Sequence, residues 1–201
     1  MSAFGRPHIL LIDNHDSFTY NIVALLALAG CEVTVEQAEN ILAAEIYRYP
    51  WAGIVIGSGP GHPSYLVEVL PPLIPPALSV PLLGICLGHQ YIVQIFGGRV
   101  EPMERPYFGL QKRILHNGTG IFRHLPNPLP VGVYHALHAS LVPSSLEVVA
   151  RDKEGHCMAV RHVEYPIWGL QFHPDSILTP HGQLLMQAWV HLVASLSAKN
   201  V

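Results

Sequence analysis

Val80-Pro-Leu-Leu-Gly-Ile-Cys-Leu-Gly-His-Gln90 reads as a strand running directly into a helix. Val80 to Cys86 is a short, continuously apolar run, the pattern of a strand covered on both faces. From Leu87 to about Phe96 the apolar positions fall at helical spacing. Upstream, the same alternation recurs. His8-Ile-Leu-Leu-Ile-Asp13 is an apolar run closed by Asn14-His-Asp-Ser17, where Ser17 is placed to cap a helix through Ile22, Leu26 and Leu28. Gly30 suits the left-handed residue that ends it. Glu32-Val-Thr-Val-Glu36 alternates as a strand, Ile41 to Tyr47 reads as a short helix stopped by Pro50, and Gly53-Ile-Val-Ile-Gly57 is another buried strand. A proline-broken helical stretch then leads back to Val80.

Strands alternating with helices predict an α/β fold: a mainly parallel central sheet, right-handed crossovers and helices on both faces. Beyond Gly97-Gly98 the helical signal fades. Val100 to Leu115, Val131 to Tyr134, Glu147 to Ala150, Met158 to Val163 and Ile167 to Gln171 read as additional, antiparallel-type strands, and Gly182 to Leu196 as a last helix. No repeat or linker divides the chain, so a single domain over 1–201, with its core at about 8–196, is expected.

Half of the 201 residues are apolar and only 12% are charged, against roughly 25% charged in typical domains. This excludes disorder and leaves a surface that needs covering. A net charge of −3 with 11 Lys and Arg gives no footprint for a polyanion, so no nucleic-acid partner is expected. Cys31, Cys86 and Cys157 lie far apart without a C-x-x-C pair, which points to a reducing, cytoplasmic compartment. Too few apolar residues precede Asp13 for the core of a signal peptide. Val69 to Gly88 lacks any charged, amide or imidazole side chain, but its five prolines remove backbone donors that lipid cannot replace. It reads as a buried edge, and no membrane partner is expected.

Gly84-Ile-Cys-Leu-Gly88 carries the sharpest chemical signal. A nucleophile on a strand-to-helix turn needs small residues two before and two after it, because the bent backbone leaves no room for a Cβ. There the free N–H groups of the following helix favour a thiolate at Cys86. A structural cysteine among packing glycines is the alternative. A thiolate nucleophile also needs an imidazole, and His173 ends an apolar strand with a carboxylate, Asp175, two residues on. Gly57-Ser-Gly-Pro-Gly61 lacks the lysine and spacing of a phosphate loop, and position 62 is His; glycine-lined backbone there can instead aim N–H groups at an oxyanion. His135-Ala-Leu-His138 and the scattered histidines lack a third ligand at metal spacing, so neither metal nor other cofactor is expected.

Taken together, these segments resemble the class I, triad-type glutamine amidotransferases. The resemblance is strongest to the glutaminase subunits that serve anthranilate and 4-amino-4-deoxychorismate synthesis. It rests on Ile9-Leu-Leu-Ile-Asp-Asn-His-Asp-Ser-Phe-Thr-Tyr-Asn21, Gly59-Pro-Gly61, Leu83 to Gln90, Phe96-Gly-Gly-Arg99, His116-Asn-Gly118 with Asn127-Pro-Leu-Pro130, Tyr134-His-Ala-Leu137 and Gln171 to Leu178, all in the family's order. The resemblance implies a flavodoxin-like sheet. It implies that Cys86 attacks the side-chain amide of L-glutamine to give a glutamyl thioester, that His173 shuttles protons, and that Asp175 orients His173. Backbone N–H groups of Gly59 and Leu87 would form the oxyanion hole, and Gly59, Gly61, Gln90, Ala136 and Leu137 would hold the glutamine. Ammonia would pass to a chorismate-binding synthase chain in a hetero-oligomer.

The chain departs from the family at three places. The third triad member is Asp175 rather than Glu, a methylene shorter, so a backbone shift or a water is expected to bridge it to His173. Tyr-His-Ser-Leu appears as Tyr134-His-Ala-Leu137, and Met-His-Gly-Lys as Tyr107-Phe-Gly-Leu110, without its basic residue. Rival readings are a non-catalytic subunit of such a synthase and a partner-independent γ-glutamyl hydrolase. His116-Asn-Gly118 with Phe122-Arg123 tilts the reading towards the folate branch over the tryptophan branch.

Overall fold

The computed structural model describes residues 5–75 and 80–197. Strand β1 (His8–Asp13) leads to helix α1 (Thr19–Leu28), β2 (Glu32–Gln37), α2 (Ala43–Arg48), β3 (Gly53–Ile56), α3 (Ser64–Val69), β4 (Leu82–Ile85) and α4 (Leu87–Ile95). Then come β5 (Arg99–Pro102), β6 (Leu110–His116), β7 (Leu129–Val133), β8 (Leu137–Leu141), β9 (Leu146–Asp152), β10 (Cys157–His162), β11 (Ile167–Leu170) and α5 (Gly182–Ser197).

Nine strands form one sheet in the order β2-β1-β3-β4-β11-β10-β9-β6-β7. Its first five members pair in parallel, and the remainder are antiparallel. The parallel half is apolar throughout because helices cover both of its faces: β3, β4 and β11 are buried at every position. Along β1, Ile9 and Leu11 face the core shared with Ile22 and Leu26 of α1 and with Leu185, Met186 and Trp189 of α5. Leu10 and Ile12 face the opposite core, with Leu66 of α3 and Leu87, Tyr91 and Ile92 of α4. The two-residue period of a strand thus splits one apolar run between two layers.

The strand order sets the site. The last strand, β11, is inserted beside β4, with Leu170 opposite Ile85. Residues that follow these two strands emerge side by side at the carboxyl end of a parallel pair, where open α/β sheets place their ligands.

Several sequence expectations are corrected. Ser17 does not cap α1. The helix starts at Thr19 without a side-chain cap on Phe18, because Asp13 and Asp16 take the local donors: Thr19 Oγ1 donates to Asp13 at 2.6 Å and the Phe18 N–H to Asp16 at 3.0 Å. Val100 to Leu115 is not one strand. Pro102, Pro106 and the left-handed Gly109 break it, so that β5 pairs with β8 in a separate ribbon while β6 joins the main sheet. The segment Val69 to Gly88 is not an edge, since β4 lies between β3 and β11; Pro76 falls outside the described residues. Among the described residues no helix is long and apolar enough to cross a membrane.

Candidate active site

Cys86 occupies the turn between β4 and α4 with φ +52° and ψ −99°, a conformation that costs an ordinary side chain energy and is kept where the surroundings over-determine it. The surroundings here are two close backbone approaches. A Cβ on Gly84 would lie 2.3 Å from the carbonyl oxygen of Gly88, and a Cβ on Gly88 would lie 2.3 Å from that of Ile56. Glycine at both positions lets α4 press onto β3 and β4. The Cys86 N–H donates to Leu170 at 2.7 Å, tying the turn to β11. Cys86 is 7% exposed.

His173 follows β11 by three residues. Its N–H donates to Gly132 of β7, and its carbonyl accepts from Thr179 Oγ1 at 2.6 Å. Cys86 is one of the groups that act on its imidazole. Asp175 meets it directly: Nδ1 to Oδ1 is 3.4 Å between two nearly fully buried side chains. The shorter carboxylate makes a long, poorly aligned contact, so we treat it as an ion pair rather than a hydrogen bond. Burial by itself pulls the imidazole down, but Asp175 and Cys86 outweigh it and raise His173 to about 10. The group is therefore held as imidazolium, the form that stabilises a neighbouring thiolate and can donate a proton.

Tyr134 packs edge-on against the His173 ring, with centroids 5.1 Å apart, and its hydroxyl shares a 2.8 Å hydrogen bond with Ser176. Neither contact is legible in sequence, because both depend on the pairing of β7 with the residues after β11.

The loop 57–61 is braced by Asn14, whose Nδ2 donates to the Gly57 carbonyl at 2.7 Å. A Cβ on Gly59 would lie 2.4 Å from the Asn14 carbonyl oxygen, so only glycine lets the loop lie against the end of β1. Leu87 opens α4, and its N–H is one of the helix's free donors. Gln90 and Leu137 are brought together, but they spend groups on each other: Gln90 Nε2 donates to the Leu137 carbonyl at 3.1 Å. The Ala136 carbonyl accepts from the Met103 N–H at 2.8 Å, and the His135 carbonyl from Tyr107 at 2.9 Å. Segment 103–109 thus clamps 133–137 through backbone, which does not require the missing serine hydroxyl at Ala136.

The departure at Tyr107 also has a structural account. Its buried ring carries a hydroxyl that donates to Asp152 at 3.0 Å, and Lys112 lies 4.3 Å over its face. Donor atoms of Asp152, Glu154 and His156 lie within 4.8 Å of one another. Asp152 is, however, already satisfied by Tyr107, His156 and two backbone N–H groups, and Glu154 by the Lys112 ammonium at 2.8 Å. A cation would have to displace an ammonium, so we assign no metal there.

A cleft of about 620 Å³ reaches His173 and Asp175 and is walled by Phe18, Asn21, Tyr134 and Ile177. Its lining includes neither Cys86, Gly59 nor Gln90.

A strained cysteine at the end of a parallel strand, with an imidazolium paired to a carboxylate on the neighbouring strand's continuation, is an arrangement suited to a thiol nucleophile in an enzyme of the α/β class. The chain belongs to the class I glutamine amidotransferases, whose family model, Glutamine amidotransferase class-I, matches residues 10–192. It is 40% identical to anthranilate synthase component 2 of Azospirillum brasilense over 91% of this chain and 95% of that one. It is 41% identical to the aminodeoxychorismate/anthranilate synthase component 2 of Bacillus subtilis over 90% and 95%, and 38% identical to aminodeoxychorismate synthase component 2 of Escherichia coli over 91% and 99%. The crystal structure of a putative GMP synthase component from Thermoplasma acidophilum superposes with a TM-score of 0.89 over 98% of both chains at 22% identity, which bears on the fold alone.

Proposed function

We propose that the chain is a glutaminase component that hydrolyses L-glutamine and hands ammonia to a chorismate-binding synthase chain. The observation that carries this reading is Cys86 at its strained turn with His173 held as imidazolium beside it. The thiolate attacks the side-chain amide carbon, and the oxyanion is received by the N–H groups of Gly59 and Leu87. The C–N bond then breaks as His173 gives its proton to the departing ammonia. Water, deprotonated by His173, opens the thioester to glutamate. Gly61, Gln90, Ala136 and Leu137 hold the substrate, with Gln90 Oε1 and backbone groups as the available contacts.

The relatives named as second components of chorismate-using synthases support a partner of that kind. Around the cleft at His173, Phe18, Tyr134 and Ile177 are exposed, Ile177 to 94%. Exposed apolar rims of this sort mark docking faces. Here the partner would seat on the same cleft that Asp175 lines. An Ile177→Asp variant is expected to keep basal glutaminase activity and to bind the synthase at least ~10-fold more weakly. Unchanged binding by isothermal titration would remove this face from the interface.

The deciding experiment is glutamine-dependent ammonia release by the purified chain, alone and with an anthranilate- or aminodeoxychorismate-forming synthase. Release that rises with the partner supports the proposal. No release while the partner still binds would make this a non-catalytic component, and turnover of γ-glutamyl peptides by the isolated chain would make it a hydrolase without a partner. His116, one of the residues behind the folate preference, sits in a closed turn. Its main chain is bracketed by Asn127 and its Nε2 meets the Pro126 carbonyl at 3.0 Å, so that segment closes a turn. Which synthase is retained in a pull-down assigns the branch, and retention of only the anthranilate-forming one withdraws the folate preference.

Asp175→Glu is the sharper test of the triad. A longer carboxylate can close the 3.4 Å gap to His173, and glutaminase kcat is expected to equal or exceed wild type. A loss of ~10-fold or more would show that the pocket is shaped around aspartate.

A further inference from the structure

Gln171 directly follows β11 and is wholly buried. Its N–H donates to Met158 of β10 at 2.9 Å, which fixes its backbone. Its side chain lies between two others. Nε2 is 3.8 Å from Cys86 Sγ, and Oε1 accepts from Gln90 Nε2 at 3.1 Å. Gln90 Nε2 also donates to the Leu137 carbonyl, which accepts in addition from His135 Nδ1 at 2.8 Å.

The direction of this chain of amides is set by its far end. A main-chain carbonyl can only accept, so Gln90 must turn its NH₂ towards Leu137. The second hydrogen of that NH₂ needs an acceptor, so Gln171 must present oxygen to Gln90. That leaves the NH₂ of Gln171 facing the sulfur. The orientation follows from the network rather than from the similar shapes of the two ends of an amide.

We propose that Gln171 is an amide donor to the nucleophile: it stabilises the Cys86 thiolate and aims it, anchored through Gln90 on the Leu137 carbonyl. This deepens the glutaminase reading and rests on it. A thiolate accepts such a bond better than a thiol, because the charge strengthens it. The other titratable groups around Cys86 are His173, with Asp175 behind it, His89 on α4, and His135 on the segment before β8. Burial pulls His89 to about 3 and His135 to about 4, so both are neutral. His173 is then the one cation of this set, and Gln171 adds an uncharged donor. The same chain ties the nucleophile to Gln90 and Leu137, two of the residues proposed to hold glutamine.

The test is the pH dependence of Cys86 alkylation by iodoacetamide on the full chain, which needs neither glutamine nor a partner. Cys31 and Cys157 stay silent, since burial pushes their thiols up to about 11 and about 12. Gln171→Met keeps side-chain length and removes the donor. Gln171→Asn keeps an amide but draws it one methylene back from the sulfur. In both, the alkylation midpoint is expected to rise by roughly half a pH unit or more, with glutaminase kcat falling alongside it. If the methionine variant does not fold, the asparagine variant carries the measurement. A variant with wild-type circular dichroism and melting temperature and an unmoved midpoint overturns the proposal. A wild-type chain that releases no ammonia even with the synthase partner bound overturns the glutaminase reading instead, and leaves the alkylation result to judge the amide donor.

Discussion

The Cys86→Ser protein is expected to lose glutamine-dependent ammonia release by roughly 10³-fold or more, with its fold unchanged. The substitution is nearly isosteric at a position only 7% exposed, so the loss is chemical. His173 is held as imidazolium by Asp175 and Cys86 together; it is arranged to give up a proton. A hydroxyl is far less acidic than a thiol and needs a neutral imidazole to remove its proton, which the Asp175 pairing opposes. The pH profile of the wild type follows from the same arrangement. A group raised from 6.5 to about 10 keeps its proton below that value and loses it above. Thioester formation should therefore persist well beyond the ordinary histidine range and decline as pH approaches the raised value. Ammonia release by the serine variant within 10-fold of wild type, measured by coupled glutamate dehydrogenase assay, would falsify the assignment of Cys86 as nucleophile.

How far the sequence announced this depends on how local each cause is. The turn at Cys86 was legible because its requirement for small neighbours is written at Gly84 and Gly88, two residues to either side. The parallel half was legible because strands buried on both faces read as unbroken apolar runs. The β5–β8 ribbon was not, since Leu137–Leu141 is short and partly exposed and its pairing with Arg99–Pro102 is decided by residues about forty positions away. Ser17 misled because Asp13 and Asp16 compete for the same donors, and a single-sequence reading has no means of ranking three capping side chains in one loop. Gln171 lay within the quoted Gln171 to Leu178 motif. Its approach to Cys86, 85 residues earlier, and to Gln90 exists only once β11 is inserted beside β4. Tyr107 is similar: it opens the segment that ends on Leu110 where the family has its basic residue, and in the fold it is a buried hydroxyl serving Asp152, with Lys112 supplying positive charge over its ring.

Gly88→Ala is expected to have the second-largest effect, and by a different route. The added Cβ would stand 2.3 Å from the Ile56 carbonyl oxygen and 2.9 Å from its carbonyl carbon. These are backbone atoms of a central strand, buried and hydrogen-bonded, so they cannot give way as a side-chain tip would. Helix α4 must move off β3 instead. Overpacking of this kind costs about 1–3 kcal/mol and sometimes more, enough to lower the melting temperature by several degrees. The catalytic cost should exceed the stability cost. Cys86 and Leu87 sit at the end of the displaced helix, and a shift of about 1 Å at the reacting atoms is worth roughly 100-fold in rate. Gly5→Ala is the control, because nothing lies within 4 Å of a Cβ added there. Melting temperature and glutaminase kcat measured side by side separate the outcomes. A folded Gly88→Ala protein with near-wild-type kcat would mean that α4 does not aim the nucleophile, and the close approach would then serve packing alone.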